Sequence, residues 1–170
     1  MSSWNDGKNE VIAWIRQNFP QCSTCLDVGP CDGKWAYMLG NYLVMDAVEI
    51  YQPYIYWYQL QSKYRFVACA DIAGYQYEWY DLVIFGDVIE HMTVEQAQKA
   101  IEYASHHCSK MIVAVPYQYK QGPMRGNKYE THIQDDITPE IFNERYPGFT
   151  LLYSVPDKYA YYVKDGECSE

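Results

Sequence analysis

The stretch CLDVGPCDGKW, Cys25 to Trp35, decides how the chain is read. CLDV has the composition of a short buried strand, and the glycine, proline, cysteine, aspartate and glycine that follow make a tight turn. Beyond Gly33, as far as about Tyr42, the residues Trp35, Met38, Leu39 and Tyr42 share one helical face. LVMDAVEI, Leu43 to Ile50, is then a second apolar run that ends on Glu49. A strand, a helix and a strand in this order form the unit that lays parallel strands side by side.

The same alternation extends in both directions. Upstream, Val11, Ile12, Trp14, Ile15 and Phe19 recur at helical spacing after Asn5 and Asp6, which predicts an opening helix that stops at Pro20. Downstream, Pro53 starts a helix running to about Gln61, RFVAC (Arg65 to Cys69) is a third strand and DLVIFG (Asp81 to Gly86) a fourth. Thr93 and Gln96 form a capping box ahead of the stripe Val94, Ala97, Ile101 and Ala104. Met111 to Val115 is a fifth strand, stopped by Pro116, and Thr138 with Pro139 opens a helix to Arg145. TLLYSV (Thr150 to Val155), the turn Pro156-Asp157-Lys158 and YAYYV (Tyr159 to Val163) close the pattern as an antiparallel hairpin. The expected fold is α/β: five parallel strands plus a C-terminal antiparallel hairpin make seven, with helices on both faces. One domain over 1–170 is expected, with a helix in 1–20, the core in 21–163 and a tail in 164–170.

Composition narrows the partners. With 170 residues, 49% of them hydrophobic, the chain is long enough for one well-buried domain. Its 13 Lys and Arg against 22 Asp and Glu give a formal charge of -9, which repels polyphosphate and argues against nucleic acid as a partner. Lys120, Arg125 and Lys128 gather in one connection, either a solvated loop or an anion-contacting one. Cys22, Cys25, Cys31, Cys69, Cys108 and Cys168 follow no signal peptide, so reduced thiols and a cytoplasmic location are expected. Cys22 and Cys25 form a CxxC without a second pair of ligands, and no metal site is expected. No apolar run approaches the roughly 20 residues that cross a bilayer. The 19 tyrosines, many of them in Tyr51 to Tyr64 and in YAYYV, suit packing or a subunit contact such as a homodimer better than a base-stacking platform.

In open parallel sheets the ligand sits beyond the carboxyl ends of the strands. Here those ends carry Asp27 to Gly33, Glu49, Asp71, Gly86 to Met92 and the residues from Pro116 onward. A glycine loop entering a helix, an acid able to accept two ribose hydroxyls and a further acid able to accept an exocyclic amine together describe a nucleoside-shaped ligand. The dinucleotide frame G-x-G-x-x-G fails, since Cys31 and Lys34 stand at its second and third glycines. The frame D-x-G-x-G-x-G fits at Asp27, Gly29 and Gly33 and departs at Cys31.

With FGDVIEHM (Phe85 to Met92) and the terminal hairpin, the sequence resembles the class I S-adenosylmethionine-dependent methyltransferases from about Cys25 to Val163. The resemblance implies a Rossmann-like three-layer sandwich and S-adenosylmethionine as cofactor, with S-adenosylhomocysteine as product. Asp27 and the loop Gly29, Pro30, Cys31 and Gly33 would hold its methionyl part. Glu49 with Ile50 would hold the ribose, Asp71 with Ile72 the adenine, and Gly86 with Asp87 the amine region. The acceptor would be a small molecule. His91 and His132 are the candidates for taking a proton from it, whereas His106 and His107 fall near a helix end and suit its dipole. Two other readings stay open: a nicotinamide-dependent oxidoreductase, and a module that binds the cofactor without catalysis.

Overall fold

A computed structural model describes residues 4–167; Cys168 and the end of the expected tail lie outside them. The elements alternate as expected: α1 (Lys8–Asn18), β1 (Thr24–Val28), α2 (Lys34–Leu39), β2 (Val44–Glu49), α3 (Gln52–Trp57), β3 (Phe66–Cys69), β4 (Tyr80–Gly86), α4 (Val94–Ser105), β5 (Cys108–Pro116), α5 (Pro139–Arg145), β6 (Thr150–Val155) and β7 (Tyr159–Asp165). Single 3-10 turns lie at Leu60–Ser62, Ile89–His91 and Lys128–Glu130.

The seven strands form one sheet in the order β3-β2-β1-β4-β5-β7-β6. From β3 to β5 the pairings are parallel, while β7 runs antiparallel to both β5 and β6. The order reverses between β1 and β4, so a crevice opens at their carboxyl ends. Buried residues alternate between two cores. In β4, Leu82 and Ile84 join Val11 and Ile15 of α1 and Trp35 and Leu39 of α2, whereas Val83 and Phe85 join Ala97, Ile101 and Ala104 of α4 and Phe142 of α5. Each fully buried Leu, Ile, Val or Phe contributes about 1.5–3 kcal/mol relative to exposure. This two-sided burial is why the central strands read as unbroken apolar runs.

Several boundaries shift for local reasons. The helix expected to Gln61 stops at Trp57 because Gln59 turns left-handed, φ 51. The helix expected to Tyr42 ends at Leu39, with Gly40 as its C-cap. Pro116 does not stop β5 but occupies its last ladder position, opposite Tyr159, where a missing N–H is tolerated. β5 also begins three residues before Met111, because Cys108 already pairs with Tyr80. Thr93 and Gln96 make both bonds of the capping box, and Thr138 caps α5.

The tyrosines of YAYYV are core residues: Tyr159, Tyr161 and Tyr162 are buried, and Tyr162 stacks on Phe142. Cys22, Cys25, Cys31, Cys69 and Cys108 are free thiols. No described helix is long and apolar enough to cross a membrane.

Candidate functional site

At the carboxyl ends of β1, β2 and β4 lies a cavity of about 300 Å³, the lower end of the range that encloses small ligands. The loop after β1 forms one wall. Gly29 and Gly33 have φ 63 and 77, and between them Cys31 also takes the left-handed conformation, φ 49. The loop folds back on itself through a Gly33 N–H bond to the Pro30 carbonyl of 2.8 Å. Gly33 is the N-cap of α2 and faces away from the cavity, since a Cβ there would meet the Lys63 side chain at 2.8 Å.

Glu49 ends β2 beside this loop. Its two oxygens accept from the backbone N–H groups of Tyr51 at 2.8 Å and Cys31 at 3.3 Å, which aims the carboxyl across the cavity mouth. Burial raises it to about 7 against these bonds. Cys31 lines the same wall, and burial holds its thiol up to about 12, so it stays protonated and is no nucleophile.

Of the other residues that the sequence singles out, Pro30, Ile50, Asp71, Gly86, Asp87 and His91 all line the cavity. Asp71 is exposed and fixed by accepting from the Ala73 N–H at 2.9 Å. Gly86 must lack a side chain: a Cβ would stand 2.7 Å from Trp35 Nε1. Asp27, Ile72 and His132 do not line the cavity. Asp27 is buried under the loop, with Oδ2 accepting from the Tyr64 hydroxyl at 2.6 Å, and burial lifts it to about 7. Ile72 is a core residue among the side chains facing α4. His132 stands behind His91, ring centroids 4.7 Å apart.

Trp35, Tyr54, Asn127, Tyr129 and Glu130 also line the cavity, and Lys8 lies against Trp35, though none of them is among the site residues that the sequence motifs mark. Lys8 is fully buried at the start of α1, its ammonium 4.0 Å from the centroid of the Trp35 ring. Burial lowers it to about 8, opposed by the charge of Asp87. Lys8 Nζ, Trp35 Nε1 and Asp87 Oδ2 are all buried without a hydrogen-bond partner. Such atoms cost free energy unless something pairs with them. A signal for Lys8 did exist, because Lys8, Val11, Ile12 and Ile15 are its helical face.

The connection after β5 closes the cavity. Tyr54 of α3 donates to Glu130 at 2.8 Å, and Asn127, Tyr129, Glu130 and Ile133 line the opening. The three basic residues of this connection have neighbours of their own: Lys120 faces Asp135, Arg125 donates to Tyr58, and Lys128 lies over the Tyr129 ring at the opening. His107 donates to the Tyr103 carbonyl and stacks on that ring at the end of α4.

No protein-family model matches the chain, and no curated protein matches it in sequence. Solved structures do share its fold. A S-adenosylmethionine-dependent methyltransferase from Clostridium acetobutylicum is 12% identical, with a TM-score of 0.71 over 94% of this chain and 90% of that one. The N-methyltransferase NodS from Bradyrhizobium japonicum is 12% identical, with a TM-score of 0.64 over 96% and 98%. The 1,6-didemethyltoxoflavin-N1-methyltransferase from Burkholderia thailandensis, solved with bound 1,6-didemethyltoxoflavin and S-adenosylhomocysteine, is 16% identical, with a TM-score of 0.65 over 94% and 77%. The chain therefore has the Rossmann-like fold of the S-adenosylmethionine-dependent methyltransferases.

Proposed function

We propose that this chain is a S-adenosylmethionine-dependent methyltransferase acting on a small-molecule acceptor. One observation carries the reading: at the fold's ligand crevice, a left-handed loop, an inward carboxyl at Glu49 and a buried unpaired oxygen of Asp87 share one cavity, with the buried, unpaired Lys8 ammonium against its Trp35 wall. The cofactor matches this set. Its amino-acid end carries one carboxylate and one ammonium, which suit Lys8 and Asp87, and its ribose offers two donors to Glu49.

When bound, the cofactor supplies a methyl group on a sulfonium, transferred in line to a nucleophile. The chain's own residues align and shield. The loop and Glu49 set the depth of the ribose, Asp71 borders the adenine end, and Asn127 to Glu130 with Ile133 form the rim that excludes water. His91 is a poor base, since burial and the neighbouring His132 lower it to about 4. An acceptor already nucleophilic at neutral pH therefore fits best.

Calorimetric titration with S-adenosylhomocysteine tests the reading. One equivalent should bind, and Glu49→Gln should weaken binding by about 10- to 100-fold, the worth of a charge-assisted hydrogen-bond pair. A folded protein that binds neither S-adenosylhomocysteine nor S-adenosylmethionine would refute it.

A further inference from the structure

At the cavity wall, His91 forms with Glu90 and His132 behind it a group that the methyl-transfer reading does not use. One potential ligand atom from each lies within 4.8 Å of the other two, with His91 Nε2 at 4.0 Å from Glu90 Oε1. We propose that these three side chains bind a divalent first-row transition-metal ion.

Both imidazoles are prepared as ligands. His91 Nδ1 lies 3.2 Å from the Thr131 carbonyl and His132 Nδ1 lies 2.7 Å from the Tyr119 carbonyl. A carbonyl oxygen can only accept, so Nδ1 carries the hydrogen in each ring and Nε2 keeps its lone pair. This is the arrangement in which metal-bound histidines are normally held.

The carboxylate is the independent observation. Glu90 is fully buried, and neither of its oxygens has a hydrogen-bond partner. A buried acid left this way is costly, and a cation between it and the two Nε2 atoms removes the cost. The framework is tied together as well. The backbone N–H groups of Ile133 and Gln134 donate to the Glu90 carbonyl at 2.8 and 3.0 Å, and the Gln134 side chain donates to the Ile89 carbonyl at 2.8 Å. The segment bearing His132 is thus fastened to the turn bearing Glu90 and His91.

Around a tetrahedral ion with bonds of about 2.0–2.1 Å, ligand atoms stand roughly 3.3 Å apart. The present spacing is wider by an amount that small side-chain rotations close. Two imidazoles and one carboxylate favour Zn²⁺, Co²⁺ or Mn²⁺ over Mg²⁺ or Ca²⁺. Three protein ligands leave a position for water or a ligand oxygen. Because His91 is also a cavity wall, that position would border the acceptor; this last step rests on the methyltransferase reading, whereas the metal site does not.

The test uses the full chain, stripped with chelator and titrated with Co²⁺ by visible absorption and with Zn²⁺ by calorimetry, without cofactor. One equivalent should bind, with visible d–d bands and no intense near-ultraviolet thiolate absorption. Glu90→Gln and His132→Asn should each weaken it by at least about 100-fold, beyond the loss typical of supporting residues, while circular dichroism stays native. Absence of binding in the wild-type chain overturns the proposal whatever the variants do. So does undiminished affinity in both folded variants, or a thiolate spectrum placing the ion on cysteines. S-adenosylhomocysteine titrated in parallel reads the methyltransferase proposal separately.

Discussion

At the scale of single residues, Cys31 is where the loop departs from its glycine frame. A side chain at φ 49 costs about 1–2 kcal/mol relative to glycine, part of which glycine gives back through its freer unfolded chain. Cys31→Gly should therefore stabilise the protein by about 0.5–1 kcal/mol, seen as a higher urea midpoint at unchanged slope. A lower midpoint would mean that the thiol's packing outweighs the backbone strain. Glycine at this position also removes a side chain from the cavity wall, so S-adenosylhomocysteine affinity should hold or improve in the same variant. Glu49 was legible in sequence because strand, loop and strand place it by counting. Asp27 was legible as a residue but not in its place, since its depth under the loop depends on Tyr64, a partner 37 positions away.

At the scale of elements, α1 is more than an outer helix. Its first turn packs against β6 and β7 and holds Lys8 over the Trp35 ring, which lines the cavity. Gly7, its N-cap, has φ 79 and lies so close to the hairpin that a Cβ would stand 2.5 Å from the Tyr153 ring. Lys8→Met should lower S-adenosylhomocysteine affinity by about tenfold or more, the loss of one charged hydrogen bond, without lowering the melting temperature. Unchanged affinity would show that another group meets the carboxylate. The alternation of strands and helices could be read from periodicity, because two-sided burial writes unbroken apolar runs and helical stripes into the chain. The connection after β5 could not. Its cavity residues Asn127, Tyr129 and Glu130 follow no period and are held by non-periodic bonds from Tyr54 and Gln121 to Glu130 and by the Asn127 turn. The histidine pair escaped for the same reason, as His91 and His132 meet across 41 positions of chain.

At the scale of the whole molecule, the cavity makes stability and ligand binding depend on pH. Glu49 moves from an ordinary 4.5 to about 7 on folding, so the folded chain holds this proton more tightly than the unfolded one. The stability tied to that proton is present below about pH 4.5 and is lost as pH rises through 7. Glu49→Gln, which cannot ionise, should therefore gain on the wild type across this window by about 1 kcal/mol or more, then level off. Denaturant midpoints at several pH values check the sign, and a constant difference would refute it. Binding runs the other way: ribose hydroxyls need the ionised carboxyl, so S-adenosylhomocysteine affinity should rise from about pH 6 to 8 more steeply in the wild type than in the variant. The contact between α1 and the hairpin reaches further still. Asp6 accepts from Lys158 at 2.6 Å and from the Tyr161 hydroxyl at 2.8 Å, across more than 150 positions. During vectorial synthesis Asp6 emerges long before Lys158 and Tyr161, so this contact between the first helix and the hairpin can close only after the hairpin has left the ribosome.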